Sequence, residues 1–384
     1  MSLNIRLKNF ITQDKDEDLS ADTKVCGDFL KEQKLNKMKN KLFNVKAEDI
    51  RALKRIMNCN HRILSLYARF LSECPRAVKS ELMCELCADG TDKETAYTSV
   101  LSYVFDIDEE KESDRDFARK YLIPSIRQAN VSDYLDCEYR SMLCGLSVSR
   151  GEWSIGEDKY EPYEAFPCGE GVSCADFTEY PRIAFFDGEF SFPVVSQGGT
   201  EWMSLKPNEI ETMREPLTRT RGKVTVFGLG LGYFAFCASE KENVESVTVV
   251  ERDENIIALF EEAILPHLKN RKKIRIVKCD AFEYMERNDH NTDYVFVDIW
   301  HDTSDGLPLY LKAKKLEHNF DRATVDYWIE NSILQRLRAM VFEEYTDRTA
   351  ELVEGLPEIF GREALLSILS DRSLRELAKR IELK

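Results

Sequence analysis

Up to about Leu135 the apolar residues recur every three or four positions. ADTKVCGDFLKEQ, AEDIRALKRIMNCNHRILSLYARFL and KETAYTSVLSYVF all carry the spacing of amphipathic helices. Asp22 or Asp49 stands where a helix cap would. From 136 to 206 the pattern shortens into runs rich in Tyr, Phe, Gly and Pro, which predicts a small β-rich unit. Within it RIAFFDGEFSFPVV turns at Asp187-Gly188 between two aromatic runs, a hairpin signal. EWMSLKPNEIETMREPL then enters a helix, with Pro207 suited to its first turn and Ser204 or Asn208 available to cap it.

From 207 to 384 β-branched runs alternate with helical ones. VTVFGLGLGYFAF is a strand that breaks into Gly228, Gly230 and Gly232 before an apolar segment. SVTVVERD is a second strand, and NIIALFEEAILPHL a helix. KIRIVKCDAFEYM is a third strand and DYVFVDIWHD a fourth. This alternation predicts an α/β fold with a doubly wound, Rossmann-like parallel sheet. RATVDYWIE offers a fifth strand and Asn331 to Thr346 a helix, with no pattern for a closing antiparallel hairpin.

In such sheets ligands bind beyond the carboxyl ends of the strands. Gly228, Glu251, Asp280 and Asp298 all fall at those ends. A glycine turn lets backbone N–H groups approach a nucleotide-like ligand. Glu251, 23 positions after Gly228, is spaced to accept hydrogen bonds from a ribose diol. The alternating GLGLG does not fit the dinucleotide fingerprint, which needs two residues and another glycine after GxG.

On these motifs the segment from Lys223 to Lys315 resembles the class I S-adenosylmethionine-dependent methyltransferases, especially their spermidine-synthase-like branch. The resemblance implies S-adenosyl-L-methionine as cofactor, with the loop Gly228, Leu229, Gly230 and Gly232 packed under its methionine part. It also implies that Glu251, with Arg252 beside it, holds the ribose, and that Asp280, Ala281 and Phe282 frame the adenine. Val226-Phe227-Gly228 stands where many of these enzymes carry an acid. The β unit ahead of the sheet occupies the place of the amino-terminal β domain of spermidine-synthase-like proteins.

VDIWHDTSDGLPLYL follows the fourth strand, where such enzymes handle their acceptor. Methyl transfer is an in-line displacement at a sulfonium carbon, so the protein must align the nucleophile and manage its proton. His301 is the candidate general base, because an ordinary imidazole titrates near neutrality. Asp298 is cast as an orienting carboxylate, with Asp302 in the same catalytic segment. Trp300 offers a π face to a cation. Tyr233, Trp202, Ser204 and Glu209 are candidate walls of the substrate cleft. An exposed loop histidine bonded to Asp302, a core tryptophan at Trp300, and a staple and cap around Trp202 and Ser204 are the structural alternatives.

The net charge of −15 argues against a nucleic-acid substrate. The lysines between Lys31 and Lys46 fit a solvated helix face. No apolar run reaches the roughly 18 to 20 residues of a membrane span. The polar amino terminus shows no secretory pattern, and eleven scattered cysteines fit a reduced, cytoplasmic setting. Cys84 and Cys87 form one CxxC without a second pair, and even with Cys59 and His61 nearby no metal site is expected. The expected function is methyl transfer to a small-molecule or protein acceptor, with the helical region 1–135 packing, roofing the site or forming a homodimer. The alternatives are an aminopropyltransferase and a non-catalytic S-adenosylmethionine-binding module.

Overall fold

A computed structural model describes residues 46–135, 137–287, 291–347, 353–354 and 361–383. The helix expected at ADTKVCGDFLKEQ, the cap Asp22 and nearly all of the lysine-rich stretch lie outside these residues. Helix α1, Ala47–Glu73, buries Leu53, Asn60, Ile63, Tyr67, Phe70 and Leu71 along one stripe, as the three- and four-residue spacing requires. Lys46 holds its N-cap position and Asp49 lies inside the first turn, so Asp49 is not the cap. There its charge favours the helix dipole, and Arg362 pairs with it at 3.3 Å.

Helices α2 (Ser80–Leu86), α3 (Lys93–Val104) and α4 (Glu112–Phe117) complete the helical layer. Asp92 caps α3 by accepting from Thr95 N–H at 2.9 Å. Tyr67, Phe70 and Phe105 meet edge to face, and Tyr97 stacks on Phe185. Phe185 belongs to a strand of the next layer, so the helices share their core with it.

Strand β1 (Ile126–Gln128) falls inside the stretch read as helical. Helices α5 (Ser132–Leu135) and α6 (Glu138–Leu143) follow it. The β unit then holds β2 (Val148–Arg150), β3 (Trp153–Tyr160), β4 (Phe166–Pro167), β5 (Val172–Ser173), β6 (Glu179–Tyr180), β7 (Ile183–Phe185), β8 (Phe190–Gln197) and β9 (Thr200–Ser204). These strands form three ladders, in the orders β1-β7-β4, β2-β3-β8-β9 and β5-β6. The chain does turn at Asp187-Gly188, but β7 and β8 are not a hairpin. Strand β7 is buried along its whole length and flanked by β1 and β4, so no edge is left for β8. Strand β8 instead pairs with β3 from Phe190 to Gln197.

Helix α7 (Pro207–Arg219) leads into β10 (Gly222–Phe227), α8 (Tyr233–Glu240), β11 (Val244–Glu251), α9 (Glu254–Ala263), β12 (Ile274–Lys278), α10 (Ala281–Met285), β13 (Tyr294–Val297), α11 (Thr303–Leu316), β14 (Thr324–Tyr327) and α12 (Glu330–Asp347). The five strands run parallel in the order β12-β11-β10-β13-β14. This is a Rossmann-like α/β sheet, with helices and a smaller β unit ahead of it. Strand β13 and the last four residues of β10 are buried throughout, as continuous apolar runs must be when both faces are covered. Strand order reverses between β10 and β13, which creates a crevice at their carboxyl ends.

The expected fifth strand and following helix are present, and no antiparallel strand joins this sheet among the described residues. Beyond α12, β15 (Val353–Glu354) and β16 (Glu382–Leu383) form a separate ladder around α13 (Gly361–Ile368) and α14 (Asp371–Ala378). Arg338 of α12, 2% exposed, ties these layers together. It donates to Glu179 of β6, to Asp371 and to the Leu369 carbonyl.

Candidate functional site

A cavity of about 860 Å³ opens at the carboxyl ends of β10, β11, β12 and β13. Its opposite wall comes from β3, β8 and β9, and Arg76, just past the end of α1, lies at its rim. Gly228, Leu229, Gly230, Glu251, Arg252, Asp280, Ala281, Phe282, Asp298, Trp300, His301, Trp202, Ser204, Glu209 and Tyr233 all line it. Asp302 and Gly232 do not line it.

The glycine loop is shaped first by the protein itself. Gly228 has φ +91°, and a Cβ there would overlap the carbonyl oxygen of Asp298. A Cβ on Gly232 would meet the Phe260 ring, so this glycine makes room for a side chain, not a ligand. At Gly230 a Cβ would meet only Met203 Sδ, at 3.6 Å in ordinary contact, so of the three glycines it is the one whose Cβ has room.

Glu251 braces the loop. One carboxylate oxygen accepts from Leu229 N–H at 3.0 Å, and the other from Arg252 N–H at 2.7 Å and Asp253 N–H at 2.8 Å. A carboxylate has about four acceptor positions, so one is left for a hydroxyl in the cavity. Arg252 serves through its backbone, its side chain being exposed. Asp280 caps α10, accepting from Phe282 N–H at 2.8 Å and Glu283 N–H at 3.2 Å, both on Oδ1. Ala281 and Phe282 follow it at the cavity edge, and Lys312 Nζ sits 3.9 Å from the Phe282 ring centre.

The segment after β13 is held by two caps in reciprocal contact. Asp302 is the N-cap of α11, accepting from Ser304 N–H at 2.6 Å. Asp305 answers by accepting from Asp302 N–H at 2.9 Å and His301 N–H at 3.1 Å. His301 Nδ1 lies 2.9 Å from Asp305 Oδ2. The histidine's carboxylate partner is therefore Asp305 and not Asp302. Burial pushes the Asp305 carboxyl up, but the imidazole and the backbone N–H groups outweigh it, and the group sits below its ordinary value.

Trp202, in β9 and not at a helix entrance, meets the His301 ring edge-on at 4.9 Å and Trp153 at 5.4 Å. Neither Ser204 nor Asn208 caps α7. Lys206 occupies the cap position, Ser204 Oγ bonds Glu201 at 3.1 Å, and Asn208 accepts from Gly169 N–H at 3.1 Å. Pro207 opens the helix as its spacing predicts. Trp300 is buried, nearly parallel to Tyr327, and donates its indole N–H to the Trp328 carbonyl at 3.3 Å. Burial and the nearby Cys237 thiol push the Tyr233 phenol up.

Several lining residues escaped the sequence reading. Tyr160 of β3 stacks on Phe166 and packs on Phe192, and Arg76 closes the rim against Glu164 at 2.8 Å. Trp328 lies at the end of β14. The signals available were the aromatic richness of the β unit for Tyr160 and, for Trp328, its place at the end of the expected fifth strand; nothing in the sequence marks Arg76. Among the described residues no group of three metal-ligating side chains occurs, and no helix is long and apolar enough to cross a membrane. Cys84 is exposed and Cys87 partly buried.

No family model matches the chain, and no curated protein does. Among solved structures, the spermidine synthase from Thermotoga maritima aligns at 14% identity with a TM-score of 0.30, over 40% of this chain and 60% of that one. Spermidine synthase in complex with the transition state analogue AdoDATO aligns at 14% identity with a TM-score of 0.29, over 40% of this chain and 59% of that one. The chain thus spans about three-fifths of the length of these structures.

Proposed function

We propose that the chain is a transferase that takes an adenosyl sulfonium donor of the S-adenosyl-L-methionine type in this cavity. The observation that carries the reading is the convergence of the Gly230 face of the loop, Glu251, Asp280 with Phe282, and Asp298 on one crevice where the strand order reverses. Glu251 would hold one hydroxyl of the ribose diol through its remaining acceptor position, and Phe282 would lie against the adenine. The donor supplies an alkyl group on a positively charged sulfur. The protein's share is to align an acceptor and accept its proton.

His301 suits the proton's destination. With Nδ1–H bonded to Asp305, the lone pair is on Nε2, the tautomer a base needs. Asp298 would stabilise the cationic reactants. Asp302, outside the cavity, acts only by shaping the turn that carries His301.

The opposite wall favours an amine acceptor. Asp158, Glu164, Glu201 and Glu209 stand there against Arg76, Lys159 and Lys206; Arg76 pairs with Glu164 and Lys206 with Glu201, and Lys159 is drawn to Glu161 and Glu189, which leaves a small acidic excess. An acidic wall also suits a donor tail that ends in an ammonium, which puts aminopropyl transfer beside methyl transfer as a second reading. Thermal shift with S-adenosylhomocysteine, methylthioadenosine and NAD tests the proposal, since stabilisation follows ligand concentration over Kd. Stabilisation by either adenosyl thioether is expected. Stabilisation by NAD alone overturns the reading.

A further inference from the structure

The carboxyl end of β14 runs into α12 with almost no loop. Between them Ile329 takes φ +49°, a conformation that a β-branched side chain adopts only under constraint. The residue before it, Trp328, is buried and lines the cavity. Its backbone N–H donates to the Val297 carbonyl at 2.9 Å, and its indole N–H to Thr212 Oγ1 at 3.0 Å. A strained residue persists where its surroundings over-determine it.

The constraint comes from the β unit. Glu170, in the loop between β4 and β5, accepts from Ser332 N–H at 3.2 Å and from Asn331 N–H, two of the first-turn donors of α12. The loop itself is tightly held, with Gly171 against Gln335 of α12 and the Tyr180 carbonyl. We infer that Glu170 is a positioning residue of the cavity: by capping α12 from another layer it holds the Ile329 elbow and so sets the place of Trp328 in the wall. The inference rests on the cavity being the working site, as proposed above.

The carboxyl of Glu170 is pushed up to about 7, chiefly by burial; the two backbone N–H groups oppose the rise, and Glu330 and Glu215 add to it. Those two carboxylates are the charged groups facing it from α12 and α7. Glu330 is engaged by Tyr310 at 2.8 Å and Arg375 at 2.8 Å, with Lys314 at 3.9 Å, and Glu215 is engaged by Arg219 at 2.6 Å. On its own loop the adjacent Gly169 sits against Glu211 and Arg182. Glu170 holds its proton more tightly in the clamped arrangement than in water. The clamp is therefore favoured at low pH and loosens as pH rises through about 7.

The test uses the full chain labelled with 5-fluorotryptophan, the four fluorine signals being assigned by single Trp→Phe substitutions. In the wild type the Trp328 signal should move with a midpoint near pH 7, and Glu170→Gln should hold the low-pH position throughout. Glu170→Ala should displace the signal at every pH and speed Trp328 indole N–H exchange on the order of tenfold. A Trp328 signal that is unmoved by pH in the wild type, or a Glu170→Gln profile matching the wild type, overturns the inference. Should the alanine variant not fold, the glutamine comparison still decides. These signals are read without ligand, so failure of adenosyl thioethers to bind would count against the proposed function alone.

Discussion

Gly228→Ala and Gly230→Ala separate two reasons for a glycine that a sequence cannot separate. At Gly228 the φ of +91° lies outside the small left-handed well that other residues tolerate, and a Cβ would strike the Asp298 backbone carbonyl, which no rotamer change can move. The conformational part costs about 1–2 kcal/mol and the overpacking a further ~1–3 kcal/mol. Gly230 sits at φ +57°, inside that well, with only Met203 Sδ at 3.6 Å. Its alanine variant should lose only the conformational ~1–2 kcal/mol, with no overpacking added. Urea unfolding followed by circular dichroism reads the difference as a midpoint shift at constant slope. Calorimetric titration with S-adenosylhomocysteine reads the other half: Gly230→Ala should lose affinity while staying folded, because its Cβ enters the cavity. If Gly228→Ala proves as stable as Gly230→Ala, the strand-end carbonyl does not dictate that glycine.

Glu251→Ala removes the acceptor for Leu229, Arg252 and Asp253 N–H together with the proposed diol contact. Affinity for S-adenosylhomocysteine should fall by roughly ten- to a hundredfold, for one hydrogen bond to a charged group, and unchanged affinity would misplace the ribose. Asp305→Asn should shift His301 from the Nδ1–H tautomer, which ¹⁵N NMR of the labelled imidazoles reads directly. An unaltered spectrum would show that Asp305 does not set the tautomer. Glu317 is held below its ordinary carboxyl range: burial raises it, but Lys314, Tyr327 and Lys379 outweigh that. Its contribution is therefore present above about pH 4.3 and is lost as pH falls further, and Glu317→Gln should flatten acid unfolding in that range.

The parallel sheet was legible because its strands are runs of β-branched and aromatic residues that end at a change of character, with Glu251, Asp280 and Asp298 marking three of those ends. The β unit was not, because strand pairing depends on which edges are left open. RIAFFDGEFSFPVV looks like a hairpin until β1, read within a helical stretch, takes one edge of β7 and β4 the other.

The site divides along the same line. Residues carried by strand ends could be placed on one crevice from the sequence, because sheet topology alone assigns them a position. Residues whose part depends on a partner far along the chain were not: Glu170 reaches α12 across 162 positions. His301 shows the intermediate case, since the nearest carboxylate in sequence, Asp302, turns into the helix cap, and one turn later Asp305 is carried back under the imidazole. The histidine proposed as base was therefore readable from composition, but the carboxylate it meets, Asp305, required the start of α11. That is why moving the cap, and not the histidine, is the sharper test of the proposed chemistry. Asp302→Ala should loosen the turn and weaken the His301–Asp305 contact without touching the cavity, so a tautomer shift in that variant would tie the helix start to the base, and none would leave Asp305 acting alone.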